Sequence, residues 1–183
     1  MTVASLNIRG VPLTGSRLAA RCQAIGAFFE ASDVDVACFQ EVHIYGHLAL
    51  LARQMRSFRY MSFRRPLPGP AGDVVTFSRL PVSGTTFQGF GAVGADIPRL
   101  ARLRARLKGA LVTRLSRPGV SLVNTHPVAN TDGDWSPANQ FVPACPRARS
   151  RRALRIRALR GALAGMMVLV ACLSPAYRVV LGR

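Results

Sequence analysis

The sequence predicts an α/β fold, a mixed sheet with helices packed outside it. Three observations carry that expectation. The chain opens with a strand-helix-strand pattern over residues 2–39. It continues as a series of short apolar runs separated by Pro/Gly turns. Polar groups gather where the runs end, at Asn7, Glu41, Ser78-Arg79 and Asn124 to Asn130 around His126. In α/β folds, sites form outside the carboxyl ends of strands.

The opening unit reads clearly. Thr2 to Ile8 is a short buried strand, and Gly10, Pro12 and Gly15 mark the loop after it. Ser16 is placed to cap the next helix, Leu18 to Glu30, where Leu18, Cys22, Ile25 and Phe29 recur at helical spacing. Val34 to Phe39 is a second strand, apolar enough for a sheet covered on both faces, and it ends in Gln40-Glu41. A strand-helix-strand unit favours parallel or mixed pairing, so Asn7 and Glu41 are expected at the same end of nearby strands.

The middle of the chain adds strands. His47 to Phe58 predicts a second helix, with Leu48, Leu51 and Met55 on one face. Tyr60 to Phe63 is a short strand, and residues 64–72 form a Pro/Gly-rich loop. Gly72 to Ser78 is a strand ending in Ser78-Arg79, and Pro81 to Phe90 is expected as its hairpin-like neighbour. Lys108 to Ser116 and Val120 to Thr125 are two more strands, joined by a Pro118-Gly119 turn. Many strands after one helical unit make an α/β sandwich whose sheet carries the site.

Composition changes after residue 142. No Asp or Glu follows Asp134, and from Pro143 onward the only charged residues are arginines. The stripe Leu154, Ala158, Leu163, Met166 and Val170 fits a helix over 147–173, with a short strand at Tyr177 to Gly182. The alternative for residues 143–183 is an out-of-frame sequence, which explains the sudden loss of acids. The apolar run Gly161 to Leu173 is short for a bilayer span, which takes about 20 residues.

The net charge is +17, from 25 basic residues against 8 acids. Such a balance suits a polyanionic partner: nucleic acid, an anionic membrane surface or phosphorylated substrates. GC-rich coding produces the same arginine excess without selection for binding. Cys22, Cys38, Cys145 and Cys172 show no CxxC spacing, so neither a zinc site nor a redox motif is indicated; Cys22 and Cys38 are expected as core residues. Met1 leads almost directly into a strand-like run, which leaves no signal peptide visible and makes the cytoplasm the expected location.

The strand-end groups suit a hard cation and a phosphate better than zinc. Carboxylate and amide oxygens favour Mg²⁺, which keeps several waters and takes one or two carboxylates plus substrate phosphate. His126 is suited to donate to a phosphate oxygen as charge develops there, and Arg79 to add a second positive clamp. His43 and His47 are read as surface residues, and Asp132-Gly133-Asp134 as a turn.

Five blocks then resemble one known group: LNIRG (6–10), FQEV (39–42), DVVTFSRLPV (73–82), KGALVTRL (108–115) and VNTHPVAN (123–130). In order and spacing, across roughly residues 2–142, they resemble the exonuclease–endonuclease–phosphatase superfamily. That group includes pancreatic-type deoxyribonucleases, abasic-site endonucleases, inositol polyphosphate phosphatases and neutral sphingomyelinases. The resemblance implies a four-layered α/β sandwich, of which residues 1–142 supply the first part. It implies hydrolysis of phosphate esters, nucleic acid or phospholipid headgroup, with Mg²⁺ or a similar divalent ion such as Mn²⁺ or Ca²⁺.

Carried onto this chain, the resemblance makes Glu41 the metal ligand and Asn7 a positioner of metal and phosphate. His126 contacts the scissile phosphate, while Asn124, Arg79 and Asn130 are supporting positions. Pro127 departs from the bulkier apolar residue usual after the histidine. Two blocks are absent. A GD-x-N segment should follow the histidine strand, and an Asp-His pair should supply the base for the attacking water. No acid follows Asp134 and no histidine follows His126, so turnover by this chain is expected to be weak. The competing expectation is a non-catalytic basic fragment that binds nucleic acid or anionic lipid through its arginines.

Overall fold

The computed structural model describes residues 1–10, 17–89 and 107–126, together with the backbone of 166–170 and 177–180. Two sheets face each other, with two helices on the outer side of the first.

The first sheet has the order β3-β4-β2-β1-β9. Its centre is the parallel pair β1 (Thr2–Asn7) and β2 (Val36–Gln40), in register from Val3↔Val36 to Asn7↔Gln40. The helix α1 (Leu18–Glu30) makes the crossover between them. Parallel strands need such a connection, so the expected unit is present. β4 (Val75–Ser78) runs antiparallel to β2, and β3 (Tyr60–Ser62) antiparallel to β4.

Every residue of β2 is buried, because both of its faces are covered. Ala37 and Phe39 meet the helices, in a cluster with Phe29, Leu48, Leu51, Met55 and Phe77. Val36 and Cys38 point the other way and pack with Val3, Leu115 and Leu122 between the sheets. Period-two alternation thus divides one apolar strand between two cores. Phe29, Phe39 and Phe77 stack edge to face in sequence, with centroids 5.0 and 5.6 Å apart. Cys22 and Cys38 are buried and free, as expected of core residues.

The helix α2 (Tyr45–Gln54) begins earlier and ends earlier than its periodicity predicts, but it buries the expected stripe of Leu48 and Leu51, with Met55 at its cap. It crosses α1 at Gly26. A Cβ there would sit 2.8 Å from Gln54 Cβ and 3.0 Å from the Leu51 carbonyl oxygen, so close approach of the two helices requires glycine. α1 starts after Arg17, which has φ 43° and gives no side-chain cap; Ser16 lies outside the described residues.

The second sheet has the order β5-β6-β7-β8. β5 (Val82–Gly89), β6 (Gly109–Leu115) and β7 (Ser121–Thr125) form an antiparallel meander. β5 is not the hairpin partner of β4. At Arg79-Leu80-Pro81 the chain leaves the first sheet and enters the second, and β5 pairs only with β6 among the described strands.

β8 (Met166–Val170) pairs in parallel with β7, and β9 (Tyr177–Val180) pairs antiparallel with β1. β9 matches the predicted last strand. At 166–170 the predicted helix is corrected to a strand. The run MMVLV is apolar on every side, so periodicity cannot separate a buried strand from a buried helix segment there. The rest of that predicted helix and the boundary at 142 lie outside the described residues. Among the described residues no helix is long and apolar enough to cross a membrane.

Candidate active site at one edge of the paired sheets

The two sheets are joined near their polar edge by a buried amide network. Asn124, fully buried on β7, donates from Nδ2 to the carbonyls of Phe39 (3.2 Å) and Val75 (3.0 Å) on β2 and β4. Its Oδ1 accepts from Gln40 Nε2 at 2.8 Å, and Gln40 Nε2 also reaches Ser5 Oγ at 3.0 Å. Asn124 therefore ties one sheet to the other. Asn124 is 0% exposed, so its place here is within the buried network that holds the two sheets, beneath the site.

Just beyond this network lie Asn7, Glu41, His43, Asp73, Lys108 and His126. β1 and β2 are parallel, so both deliver their carboxyl ends here. β4 is antiparallel, so it delivers its start, where Asp73 ends a short 3-10 turn at Ala71–Asp73. Val42 N donates to Asp73 O at 3.0 Å, which places the Glu41 and Asp73 segments side by side. Gly10 packs against the Glu41 carbonyl so closely that no Cβ fits.

Arg9, Glu41 and Asp73 all adopt positive φ, at 50°, 61° and 59°. Such backbone is uncommon for residues other than glycine and gathers at functional sites.

The side chains form a nearly closed ring. Asn7 Nδ2 donates to Glu41 Oε1 at 2.7 Å, while Asn7 Oδ1 accepts from Arg9 N at 2.8 Å. His126 Nε2 lies 3.6 Å from the same Glu41 Oε1. Lys108 Nζ sits 2.9 Å from His126 Nδ1 and 2.7 Å from Asp73 Oδ2. His43 Nδ1 lies 3.2 Å from Asp73 Oδ2, and His43 Nε2 lies 4.0 Å from Glu41 Oε2.

Proton positions follow from the partners. An ammonium can only donate, so His126 Nδ1 is an acceptor and its proton is on Nε2, facing Glu41. Burial pushes the His126 pKa down to about 4, helped by the Lys108 ammonium against the opposing pull of Glu41 and Asp73. His126 is thus a neutral N–H donor near neutral pH. Burial alone would raise the Asp73 pKa, but the hydrogen bond from His43 and the Lys108 charge outweigh it and hold the pKa at about 2. The Asp73 carboxylate is ionised and orients both of its neighbours.

A carboxylate with an adjacent amide can hold a hard divalent ion whose other positions are taken by water and phosphate. Glu41 fits, since among the described residues its Oε2 accepts no hydrogen bond. No cluster of three or more His, Cys, Asp or Glu suited to a metal occurs among the described residues, so any ion here relies on few protein donors.

The structure brings together Asn7, Glu41 and His126 as expected. It does not bring Arg79. That residue follows the carboxyl end of β4, which by antiparallel pairing (Val36↔Ser78) lies at the opposite edge. Its guanidinium donates to the Phe29 and Glu30 carbonyls (3.1 and 2.9 Å) and stacks over Phe58 at 4.6 Å. Arg79 caps the end of α1, which replaces the phosphate-clamp role expected from sequence. Asn130 lies outside the described residues.

His43 and His47 are not the surface residues expected. His47 is buried in α2, and His43 belongs to the ring. Sequence reasoning missed Asp73 and Lys108 as site residues. One signal was present: Lys108 is the only lysine in the chain. A groove of about 490 Å³ elsewhere is lined chiefly by Leu48, Ala52, Met61, Phe63 and Leu67. None of the ring residues lines it, so it is not the candidate site.

Several solved structures share this fold. Sphingomyelinase C from Streptomyces griseocarneus aligns with TM-score 0.66 at 20% identity, covering 94% of this chain and 63% of that one. SmcL aligns with TM-score 0.61 at 15% identity, over 93% and 62%. D. rerio TDP2 in complex with a single-strand DNA product aligns with TM-score 0.61 at 14% identity, over 93% and 58%. The chain thus spans less than two thirds of the length of these proteins. No curated protein sequence matches it. The sequence profile described as the endonuclease/exonuclease/phosphatase family matches residues 4–171, nearly the whole chain, and the chain belongs to that family.

Proposed function

We propose that this chain carries part of the active site of a metal-dependent phosphodiester hydrolase, with Glu41 as the metal-binding carboxylate. The observation that carries the proposal is the contact set of Glu41. Its Oε1 accepts from Asn7 at 2.7 Å and lies 3.6 Å from a neutral His126 N–H, while among the described residues its Oε2 accepts no hydrogen bond.

Mg²⁺, or Mn²⁺ or Ca²⁺ in its place, would be held by Glu41 with help from Asn7, and when bound it supplies charge stabilisation at the phosphate. Staphylococcus aureus beta toxin, which shares the fold with TM-score 0.56, is described with bound magnesium ions. His126 Nε2–H is placed to donate to a non-bridging phosphate oxygen, because Lys108 occupies Nδ1 and fixes the tautomer. Asp73 orients Lys108 and His43 through its ionised carboxylate. The substrate is a phosphodiester of nucleic acid or of a phospholipid headgroup, a reading supported by structural relatives described as a sphingomyelinase and as a complex with a single-strand DNA product.

Water activation is the weak step. No histidine follows His126 and no acid follows Asp134, so the family's later Asp-His base is not among these residues. General-base catalysis contributes roughly 10²–10⁴-fold, and the chain is proposed to turn over slowly by about that factor. The test is hydrolysis of bis-p-nitrophenyl phosphate with Mg²⁺. A slow, EDTA-sensitive rate that disappears in Glu41→Ala is expected. A rate indifferent to both EDTA and Glu41→Ala would sink the proposal.

A further inference from the structure

We propose that His43 is a second ligand of the divalent ion, paired with Glu41, and that this nitrogen donor tilts the site towards Mn²⁺ or Co²⁺ over Mg²⁺. The inference deepens the metal reading of Glu41 and rests on it.

The geometry begins at Asp73. Its ionised carboxylate lies 3.2 Å from His43 Nδ1, so that nitrogen carries a proton, and in the neutral imidazole Nε2 carries the lone pair. Nε2 is buried and has no hydrogen-bond partner among the described residues. It faces Glu41 Oε2 at 4.0 Å. A lone pair aimed at a carboxylate oxygen is unfavourable unless something positive, a proton or a metal ion, lies between them. His126 does not create this arrangement, because it presents an N–H to the other oxygen of Glu41.

The gap suits an ion. With metal–nitrogen and metal–oxygen bonds of about 2.0–2.2 Å, neighbouring ligands stand roughly 3.0–3.5 Å apart, so the two side chains would close by about half an ångström around an ion. Asp73, His43 and the Glu41 side of the gap then form a carboxylate–histidine–metal arrangement, in which the outer carboxylate sets the tautomer and raises the ligand's basicity. Imidazole suits first-row transition ions, whereas Mg²⁺ prefers oxygen and water. One nitrogen and one carboxylate, with Asn7 beside them, therefore favour a borderline ion.

The experiment uses the full chain and Mn²⁺ alone, read by calorimetry and by electron spin echo modulation from directly bound ¹⁴N. Wild type should show ¹⁴N modulation. His126→Ala should retain it, and His43→Ala should lose it. Mn²⁺ affinity should fall about tenfold or more in His43→Ala and at least several-fold in Asp73→Asn, with Mg²⁺ affinity changed much less. Mn²⁺ that binds without ¹⁴N modulation, or with modulation insensitive to His43→Ala, overturns the proposal while leaving Glu41 as ligand, provided Glu41→Ala abolishes binding. No Mn²⁺ binding at millimolar concentration overturns both readings. His43→Gln, which keeps a polar side chain, separates loss of the ligand from loss of packing and should also lack the modulation.

Discussion

Lys108 Nζ stands between two acceptors, 2.7 Å from Asp73 Oδ2 and 2.9 Å from His126 Nδ1. This one side chain links a turn of the first sheet to the strand end of the second. It also decides which imidazole nitrogen of His126 carries the proton.

Removing that ammonium has a defined consequence. In Lys108→Met the His126 pKa should rise from about 4 towards its ordinary value without reaching it, since burial is the larger cause. The Nε2–H tautomer should lose its dominance. Imidazole ¹⁵N–¹H NMR as a function of pH checks both, and an unchanged titration would show that Lys108 does not set the state of His126.

Acid should destabilise the metal-free protein over two pH windows. The His126 pKa is depressed, so its contribution is complete above about 6.5 and is lost as pH falls towards 4. The Asp73 pKa is depressed as well, so its contribution is complete above about 3.8 and is lost as pH falls towards 2. The fall of the His126 pKa from 6.5 to about 4 corresponds to roughly 3 kcal/mol. Urea unfolding at successive pH values should show the loss between 6.5 and 4 in wild type and a much flatter profile there in His126→Asn.

Asn124→Ala should cost about 2–4 kcal/mol. It leaves the Phe39 and Val75 carbonyls without their amide donor, removes the Gln40 acceptor, and opens a space in a buried layer. Denaturant titration measures the loss. A cost below about 0.5 kcal/mol would mean that the network is not what holds the sheets in register.

Arg79→Met should cost roughly 1–2 kcal/mol of stability, through two lost bonds to the end of α1. It should leave metal affinity and KM unchanged. A raised KM at unchanged stability would restore the phosphate-clamp role that its strand-end position suggests.

The positions that sequence located, and those it missed, divide along physical lines. The βαβ unit was legible because its periodicities, helical in 18–30 and continuous in 34–39, need no knowledge of pairing. It placed Asn7 and Glu41 together, since parallel strands end on the same side. Arg79 was misplaced for the complementary reason. β4 runs antiparallel, and strand direction is not written in a short apolar run. The same reversal hid Asp73, which lies at the start of a strand and still reaches the site. Asn124 was read as a supporting position, but its burial between the sheets was hidden, because the face it takes follows only from the register of β7. The strand at 166–170 was read as helix because an all-apolar run fits both periods.

The central claim is that Glu41 holds a divalent ion at this edge. Calorimetric titration of the full chain with Mg²⁺ and Mn²⁺, repeated on Glu41→Ala, tests it most directly. One saturable site, absent from Glu41→Ala while its circular dichroism stays that of wild type, is the predicted result. Equal binding by the two proteins, or no binding by either, would contradict the account.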